Sequence, residues 1–201
     1  GGAEGNLFRL SKFQKQKYRN KIDIIIITLI SNGFYEEELK KLNIKVWSLG
    51  LNEKKIFNFF KSILKLRKFL KRQNPDIIQS WMYHSNFITL FLPKIFHNRI
   101  FWGIRHTKLN LYLSKTTTLI LSLICGLFSR IVPKKIIYNS EASIDFHNNK
   151  LFYSKNKTIL INNGYSPETY FSSKNLRIKF RKKNNIKKQD IVLGFAGRYV
   201  K

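Results

Sequence analysis

The sequence contains few of the residues that mark several protein classes. A single cysteine, Cys125, excludes a disulfide framework, and its position inside an apolar run predicts a small buried hydrophobic residue. Only 11 Asp and Glu residues accompany 38 Lys and Arg residues, which leaves a net charge of +27. Such a surface attracts phosphate groups on nucleic acid or anionic lipid. A nucleotide-biased genome would favour Lys, Asn, Ile and Phe without selection for binding, so both explanations stay open.

No apolar run reaches the roughly 18 to 20 residues that a membrane-spanning helix needs. The longest run covers 116–128 and is followed by Arg130 and Pro133, so it predicts a buried or interfacial helix. A hydrophobic content of 43% and an aromatic content of 14% exclude general disorder. The 201 residues suffice for one sizeable α/β domain.

Both ends of the sequence are abrupt. It opens on Gly1-Gly2-Ala3-Glu4-Gly5, and its only methionine is Met82. A glycine-rich loop that leads into a helix normally follows a strand. We therefore expect a first strand before Gly1 in the complete domain, and unpaired edges at segments 22–29 and 76–81 in its absence. At the other end, the apolar run 191–196 is expected to be the first strand of another domain.

Short apolar runs alternate with amphipathic stretches along the chain. Continuous β-branched runs predict strands that are covered on both faces in a parallel sheet, and apolar residues at helical spacing predict helices. The predicted strands cover 22–29, 44–49, 76–81, 100–104, 135–138, 158–161 and 191–196. The predicted helices cover 4–18, 36–42, 54–72, 85–96, 115–130, 140–150 and 174–185. This alternation predicts an α/β fold with a doubly wound, mostly parallel, Rossmann-like sheet and helices on both faces.

The predicted elements divide the chain into three parts. Residues 1–172 are expected to form a Rossmann-like domain that lacks its first strand, and residues 173–190 a basic linker or helix. Residues 191–201 are expected to hold the first strand of a truncated second domain. In parallel α/β sheets, ligands bind beyond the carboxyl ends of the strands. The loops that follow the strands therefore hold the candidate functional residues.

The segment Arg105-His106-Thr107 carries the strongest chemical signal. A cation, an imidazole and a hydroxyl follow the predicted strand 100–104. Histidine can transfer a proton near neutral pH, and arginine suits phosphate. The pattern alone is equally compatible with a functional and a structural role for His106. No further ligands stand at metal-binding spacing, so we expect no metal ion.

Other polar residues have ordinary explanations. His84 follows strand 76–81 and could contact a polar ligand, but a surface role at the start of the next helix is more frequent. Asn139-Ser140 fits a helix N-cap, and His147 is expected on the surface of that helix. Asn163 belongs to an Asn-Asn-Gly sequence that suits a tight turn.

Residues at the two ends of the sequence could bind phosphate. Gly1 and Gly2 precede a helix, whose free amides attract phosphate, although a plain turn explains them equally well. Arg198 follows Gly197 at the end of the run 191–196. An arginine in that position suits a pyrophosphate in a cleft between two domains.

Taken in order, six segments resemble the family 4 glycosyltransferases. These are two-domain enzymes whose paired Rossmann-like halves bind a nucleotide sugar between them, and the chain resembles the acceptor-side half. The similar segments are GGAE at 1–4, PDIIQSWMYHSN at 75–86, WGIRHT at 102–107, IIYNSEASIDFH at 136–147, KTILINNGYSPETYF at 157–171 and LGFAGR at 193–198. The resemblance covers nearly the whole chain.

The resemblance implies roles for individual residues. Gly1 and Gly2 would lie near the donor phosphates, and Arg198 would clamp the donor pyrophosphate. His106 would be the active-site histidine of the acceptor domain. The residues that line the cleft or the acceptor site would be His84, Arg105, Thr107 and Asn163.

The chain departs from the family pattern at two places. Ser166 stands where the family usually has an aspartate after Asn-Gly-hydrophobe, which puts a role for an acid there in doubt. The second donor-binding lysine and the acidic motif of the family would lie beyond Lys201. We therefore expect the fragment alone to be inactive.

The resemblance also implies a function. Members of this type are retaining transferases, here of the hexosyltransferase type, that move a sugar from a nucleotide-sugar donor to a cell-surface glycan or a lipid-linked acceptor. Such reactions build lipopolysaccharide and other polysaccharides, generally without a metal or other cofactor. The enzymes are cytoplasmic and peripheral at the inner face of the cytoplasmic membrane. The basic amphipathic helix predicted at 54–72 suits an anionic membrane surface.

Two alternatives stay open. A nucleotide-sugar epimerase could be built from the same two halves. A basic nucleic-acid-binding module would use the Lys and Arg surface together with exposed aromatic side chains. The aromatic residues lie mostly on apolar faces of the predicted elements, and the sequence carries no nucleic-acid-binding signature. We therefore expect no nucleic acid partner.

Overall fold

The computed structural model describes residues 2–19, 21–31, 33–51, 56–109, 115–168 and 170–195. The chain divides into two compact units, residues 1–163 and 164–201. The first unit contains, in order, α1 (Gly2–Lys17), β1 (Ile25–Thr28), α2 (Glu36–Lys41), β2 (Lys45–Ser48), α3 (Ile56–Gln73), β3 (Ile78–Trp81), α4 (Met82–Thr89), a 3-10 helix (Lys94–Arg99), β4 (Ile100–Ile104), α5 (Thr116–Phe128), β5 (Lys135–Tyr138), α6 (Glu141–Lys150), a 3-10 helix (Lys155–Lys157) and β6 (Thr158–Leu160). The second unit contains α7 (Lys174–Lys183).

Parallel pairing joins the strands of the first unit into two sheets. β1 pairs with β2, and the other sheet has the order β3, β4, β5, β6. Parallel neighbours need a crossover connection, and helices make most of these crossovers here. The register places Ile104 beside Tyr138 and Tyr138 beside Leu160, so the loops after β4, β5 and β6 start at one edge of the sheet. The predicted parallel, Rossmann-like α/β fold is confirmed.

β1 and β3 each pair with one neighbour in the described residues. Each of these strands therefore keeps one edge whose backbone groups are open to further pairing. These are the two segments at which the sequence predicts unpaired edges. The strand that we expect before Gly1 stays a prediction.

The main core surrounds the central strands of the four-stranded sheet. Ile100, Trp102 and Ile104 of β4 are fully buried, as is Ile136 of β5. β4 and β5 have neighbours on both sides and are covered on both faces, which explains their near-continuous apolar sequences. The indole N–H of Trp102 donates to Thr89 Oγ1 at 2.8 Å and ties α4 to the sheet. Cys125 is fully buried, as its sequence context predicts.

The helix predicted at 85–96 differs from the structure in its bounds and in its type. α4 begins at Met82, directly after β3, and ends at Thr89, whereas Lys94–Arg99 is a 3-10 helix. Met82 has a φ of 72°, in the left-handed region that non-glycine residues rarely occupy, and this makes the sharp turn from strand to helix. Pro93 precedes the 3-10 helix, and proline cannot supply the amide that a continuing helix requires.

The second unit is exposed over most of its described residues, large hydrophobic side chains included. α7 begins after Ser173, whose hydroxyl accepts a hydrogen bond from the Leu176 amide at 3.2 Å. Residues 191–195 do not form the predicted strand, and Leu193 and Phe195 are both 94% exposed. A strand needs a partner for its backbone hydrogen bonds, and the described residues of this unit contain no other strand.

Candidate functional site

The loops at the carboxyl edge of the four-stranded sheet bring two of the candidate residues together. Arg105 follows β4 directly, and Asn163 follows β6 three residues later. The Arg105 Nη1 donates to Asn163 Oδ1 at 3.0 Å. A hydrogen bond therefore joins two loops that are 58 residues apart in sequence, across the end of the intervening strand β5.

Arg105 is held on a second side by an aromatic ring. Its guanidinium carbon lies 4.2 Å from the ring centroid of Trp81, the last residue of β3. The side chain is half-buried, and this burial lowers the pKa of the guanidinium below its ordinary value. Arginine stays protonated at physiological pH even so. Arg105 is therefore a fixed cation at the edge of the sheet.

His106 stacks on a buried tyrosine. Its ring centroid lies 5.6 Å from that of Tyr83, with 22° between the ring planes. Its backbone carbonyl accepts a hydrogen bond from the Ser143 hydroxyl of α6 at 2.7 Å. The imidazole is half-buried, and burial lowers its pKa below the ordinary value of 6.5. His106 is therefore neutral at pH 7, with one nitrogen able to donate and one able to accept.

A fully buried histidine supports Tyr83 from its other side. His147 Nδ1 lies 2.7 Å from the Ser143 carbonyl oxygen, which can only accept, so Nδ1 carries the proton. His147 Nε2 must then accept the 2.6 Å hydrogen bond that the Tyr83 hydroxyl donates. Tyr83 also stacks on His147 at 5.8 Å. The tyrosine is thus fixed between two imidazoles, one of which is the candidate catalytic group.

Burial controls the ionisation of this cluster. It lowers the pKa of His147 to about 4 and raises the pKa of Tyr83 and Tyr138 above that of a free phenol. The hydrogen bond from His147 to Ser143 acts in the opposite direction on the histidine, but burial has the larger effect. All three groups are therefore neutral at pH 7.

Several polar atoms at this edge are buried without a partner. Among the residues that the structure describes, Arg105 Nε, His106 Nδ1 and Asn139 Oδ1 make no hydrogen bond. A buried polar atom without a partner costs roughly 1–3 kcal/mol. Such atoms at the carboxyl ends of strands mark the place where a polar ligand would satisfy them.

Three of the remaining candidate residues are exposed to solvent. His84 is exposed on α4, whereas its neighbour Tyr83 faces His106. Thr107 is exposed, and Gly2 starts α1 with open space around the position of a Cβ atom. Gly1 and Arg198 lie outside the described residues.

The prediction of a surface position for His147 is wrong. His147 is fully buried on the face of α6 that packs on the sheet, where its ring lies 5.6 Å from that of Tyr138 and 5.2 Å from that of Tyr153. Both Tyr83 and His147 were missed as parts of the site. Their helices bury polar residues, which hydrophobic periodicity does not mark. Within the described chain, no group of three His, Cys, Asp or Glu side chains could hold a metal ion.

Several solved structures share this fold. Anabaena HepE (Alr3699) in complex with UDP has a TM-score of 0.68 and 18% identity, over 92% of this chain and 47% of that protein. The same protein in complex with UDP-glucose has a TM-score of 0.64 and 18% identity, over 92% and 46%. A glycosyltransferase from Rickettsia africae has a TM-score of 0.65 and 16% identity, over 94% and 47%.

No protein-family model and no curated protein matches the sequence. The chain spans about half the length of the solved proteins that it resembles. At 16–18% identity the likeness concerns the fold. The chain therefore has the Rossmann-like α/β fold that makes up about half of each of these proteins.

Proposed function

We propose that this chain is the acceptor-side part of a retaining family 4 glycosyltransferase. The complete protein would move a hexose from a nucleotide-sugar donor to a cell-surface glycan or a lipid-linked acceptor, in lipopolysaccharide or polysaccharide biosynthesis. The observation that carries the proposal is the fold shared over 92% of the chain with HepE, which has been crystallised with UDP and with UDP-glucose. The His106 site at the carboxyl edge of the sheet supports it.

In this proposal, His106 contacts the reacting sugar. The ring stacked on Tyr83 and the Ser143 hydroxyl on its backbone carbonyl fix the imidazole before substrate binds. A preorganised polar group of this kind acts on the transition state without reorganising. The neutral ring can accept a hydrogen bond from a sugar hydroxyl, and its unpartnered Nδ1 would gain a partner. Arg198 would bind the donor pyrophosphate through charge-assisted hydrogen bonds.

The test is a comparison of two variants in the complete protein. His106→Ala should lower turnover by about 10²–10⁴-fold, the range of positioned acid–base groups, while affinity for the nucleotide sugar is largely kept. Arg198→Ala should mainly weaken donor binding. His97→Ala, at the opposite end of β4, is the matched control and should keep turnover. An intact turnover of His106→Ala together with a lower melting temperature would identify His106 as a structural residue. Interconversion of nucleotide sugars without an acceptor would support the epimerase alternative.

We also propose that the protein binds the inner face of the cytoplasmic membrane through one face of α3. This cationic face carries five exposed cations, Lys61, Lys65, Lys68, Lys71 and Arg72. It also carries two apolar side chains, Phe60 and Leu64, which are 61% and 63% exposed. α3 contains no Asp or Glu. Its other side packs in the core through Ile63, Leu66 and Leu70. None of the helices in the described residues is long and apolar enough to cross a membrane.

Binding to vesicles tests the membrane proposal. The complete protein should bind anionic vesicles more tightly than neutral ones, and salt should weaken this binding. Replacing Lys61, Lys65 and Lys68 by Gln should cost about 1 kcal/mol per lysine at low salt. The control variant replaces the exposed lysines Lys94, Lys150 and Lys155, which lie outside α3, and removes the same charge. Equal losses of vesicle affinity in both variants would show that the cationic face of α3 is not a specific membrane-binding surface. Binding to nucleic acid that is tighter than binding to anionic vesicles would support the nucleic-acid alternative.

A further inference from the structure

We propose that Arg105 binds a phosphate group of the acceptor, so that the acceptor of the transfer is a phosphorylated molecule. This inference rests on the proposed function, which supplies an acceptor beside His106. It adds the chemical class of that acceptor and assigns the residue that recognises it. Its test uses a binding measurement that does not require turnover.

The charge of Arg105 has no anionic partner among the described residues. In the described part of the chain, no carboxylate lies within ion-pairing distance of its guanidinium, and burial alone accounts for its lowered pKa. The group has five N–H donors, yet among the described residues its only hydrogen bond goes to the neutral amide oxygen of Asn163. Half-burying an unpaired cation is unfavourable unless an anion joins it. An anionic ligand would therefore supply the charge partner that the Trp81 ring and Asn163 do not.

The side chain of Arg105 is oriented before any ligand arrives. The Trp81 ring covers the guanidinium at 4.2 Å, and Asn163 holds Nη1 at 3.0 Å. Arginine stacked and tethered in this way loses little conformational freedom when it binds an oxyanion.

Arg105 also lies where a ligand of this sheet would bind. Arg105 is adjacent to His106 in the chain, and both lie at the carboxyl edge where ligands of parallel α/β sheets bind. A phosphate on Arg105 would therefore lie next to the imidazole that we place at the reacting sugar. Phosphate could reach this cation from the acceptor or from the donor pyrophosphate. We assign it to the acceptor because Arg198 is the proposed partner of the pyrophosphate.

A calorimetric titration of the complete protein separates these sources. The probe is glucose 1-phosphate in the presence of saturating UDP, which occupies the donor position. Methyl glucoside is the uncharged counterpart, and glucuronate is the carboxylate counterpart. Arg105→Gln removes the charge, and Arg105→Lys keeps it without the planar fork. Arg99→Gln is the matched control, because Arg99 flanks the opposite end of β4 and also donates to an asparagine, Asn74 Oδ1, at 2.8 Å.

The expected result is that Arg105→Gln weakens glucose 1-phosphate binding by about tenfold or more, the loss that follows removal of charge-assisted hydrogen bonds to an oxyanion. The affinity of Arg105→Gln for UDP should change less than twofold. The affinity of Arg105→Lys for glucose 1-phosphate should lie between those of Arg105→Gln and wild type, and that of Arg99→Gln should equal that of wild type. Methyl glucoside and glucuronate should bind more weakly than glucose 1-phosphate.

Several results would overturn the inference. Unchanged affinity of Arg105→Gln for glucose 1-phosphate would show that Arg105 does not bind this phosphate. An equal loss of affinity for UDP would show that Arg105 binds the donor and not the acceptor. If Arg105→Lys and Arg105→Gln lose the same affinity for glucose 1-phosphate and both have lower melting temperatures, Arg105 has a structural role. If the wild-type protein binds neither UDP nor any other nucleoside diphosphate, the proposed function fails. The effect of Arg105→Gln on glucose 1-phosphate alone would then still decide the anion site.

Discussion

The buried histidine behind the site makes the stability of the fold depend on pH. His147 is fully buried, and burial lowers its pKa from 6.5 to about 4. In the unfolded chain the same imidazole titrates near 6.5. Between these two values the unfolded state binds the proton and the folded state does not. The free energy of unfolding therefore falls as the pH is lowered through this window.

The size of the effect follows from the two pKa values. Lowering the pH from 7 to 5 should cost about 2 kcal/mol of stability through His147 alone. Tyr83, Tyr138, Tyr153 and Cys125, which lie around the histidine, have raised pKa values and stay neutral over this range. His106 acts in the same direction, because burial lowers its pKa as well. The difference between wild type and a His147 variant isolates the contribution of His147.

Urea denaturation of the complete protein at pH 7 and pH 5 measures this difference. His147→Gln should be less stable than wild type at pH 7, because it disrupts the hydrogen bonds to Tyr83 and Ser143. Its stability should fall less on acidification, by about 2 kcal/mol. His84→Gln, which replaces the exposed histidine of α4, should follow the wild-type dependence. Identical pH dependence of wild type and His147→Gln would refute the neutral, buried imidazole on which the description of the site depends.

Two further substitutions test the packing around α5 and α6. Gly126→Ala should lower the melting temperature strongly, because its Cβ would lie 1.7 Å from the Leu151 carbonyl oxygen. The loss of stability should be far larger than the roughly 1 kcal/mol of an average substitution. A variant as stable as wild type in a thermal melt would contradict this contact. Ser140→Ala should cost about 1 kcal/mol in urea denaturation, because the Ser140 hydroxyl caps α6 by accepting from the Ser143 amide at 3.3 Å, and Ser140→Asp should restore the loss.

The sequence predicts most of the fold because the burial of each helix or strand determines where its apolar residues stand in the sequence. β4 reads as a continuous apolar run since it is covered on both faces, and its observed bounds, Ile100–Ile104, are those predicted. The predicted helix 54–72 agrees with α3 at its described residues. The strand predicted at 191–196 is not formed at its described residues, 191–195. Its apolar residues indicate a strand, but the partner strand that would form it is not among the described residues.

The site was only partly predictable. Arg105 and His106 were found because they follow a recognisable strand, and the position of a strand's carboxyl end is a general property of parallel sheets. Tyr83 was missed because Met82, with its positive φ, starts α4 three residues earlier than the sequence pattern indicates. His147 was missed because polar partners on other elements, rather than apolar neighbours in sequence, compensate its burial.

The central claim is that His106 acts in sugar transfer from a nucleotide-sugar donor. The most direct measurement incubates the complete protein with a panel of radiolabelled nucleotide sugars and membranes of the producing cell, and follows the label into glycan or lipid. Wild type should transfer label from one donor, and His106→Ala should bind that donor but transfer at most about a hundredth as much. Failure of wild type to bind any nucleotide sugar, or full transfer by His106→Ala, would contradict the claim.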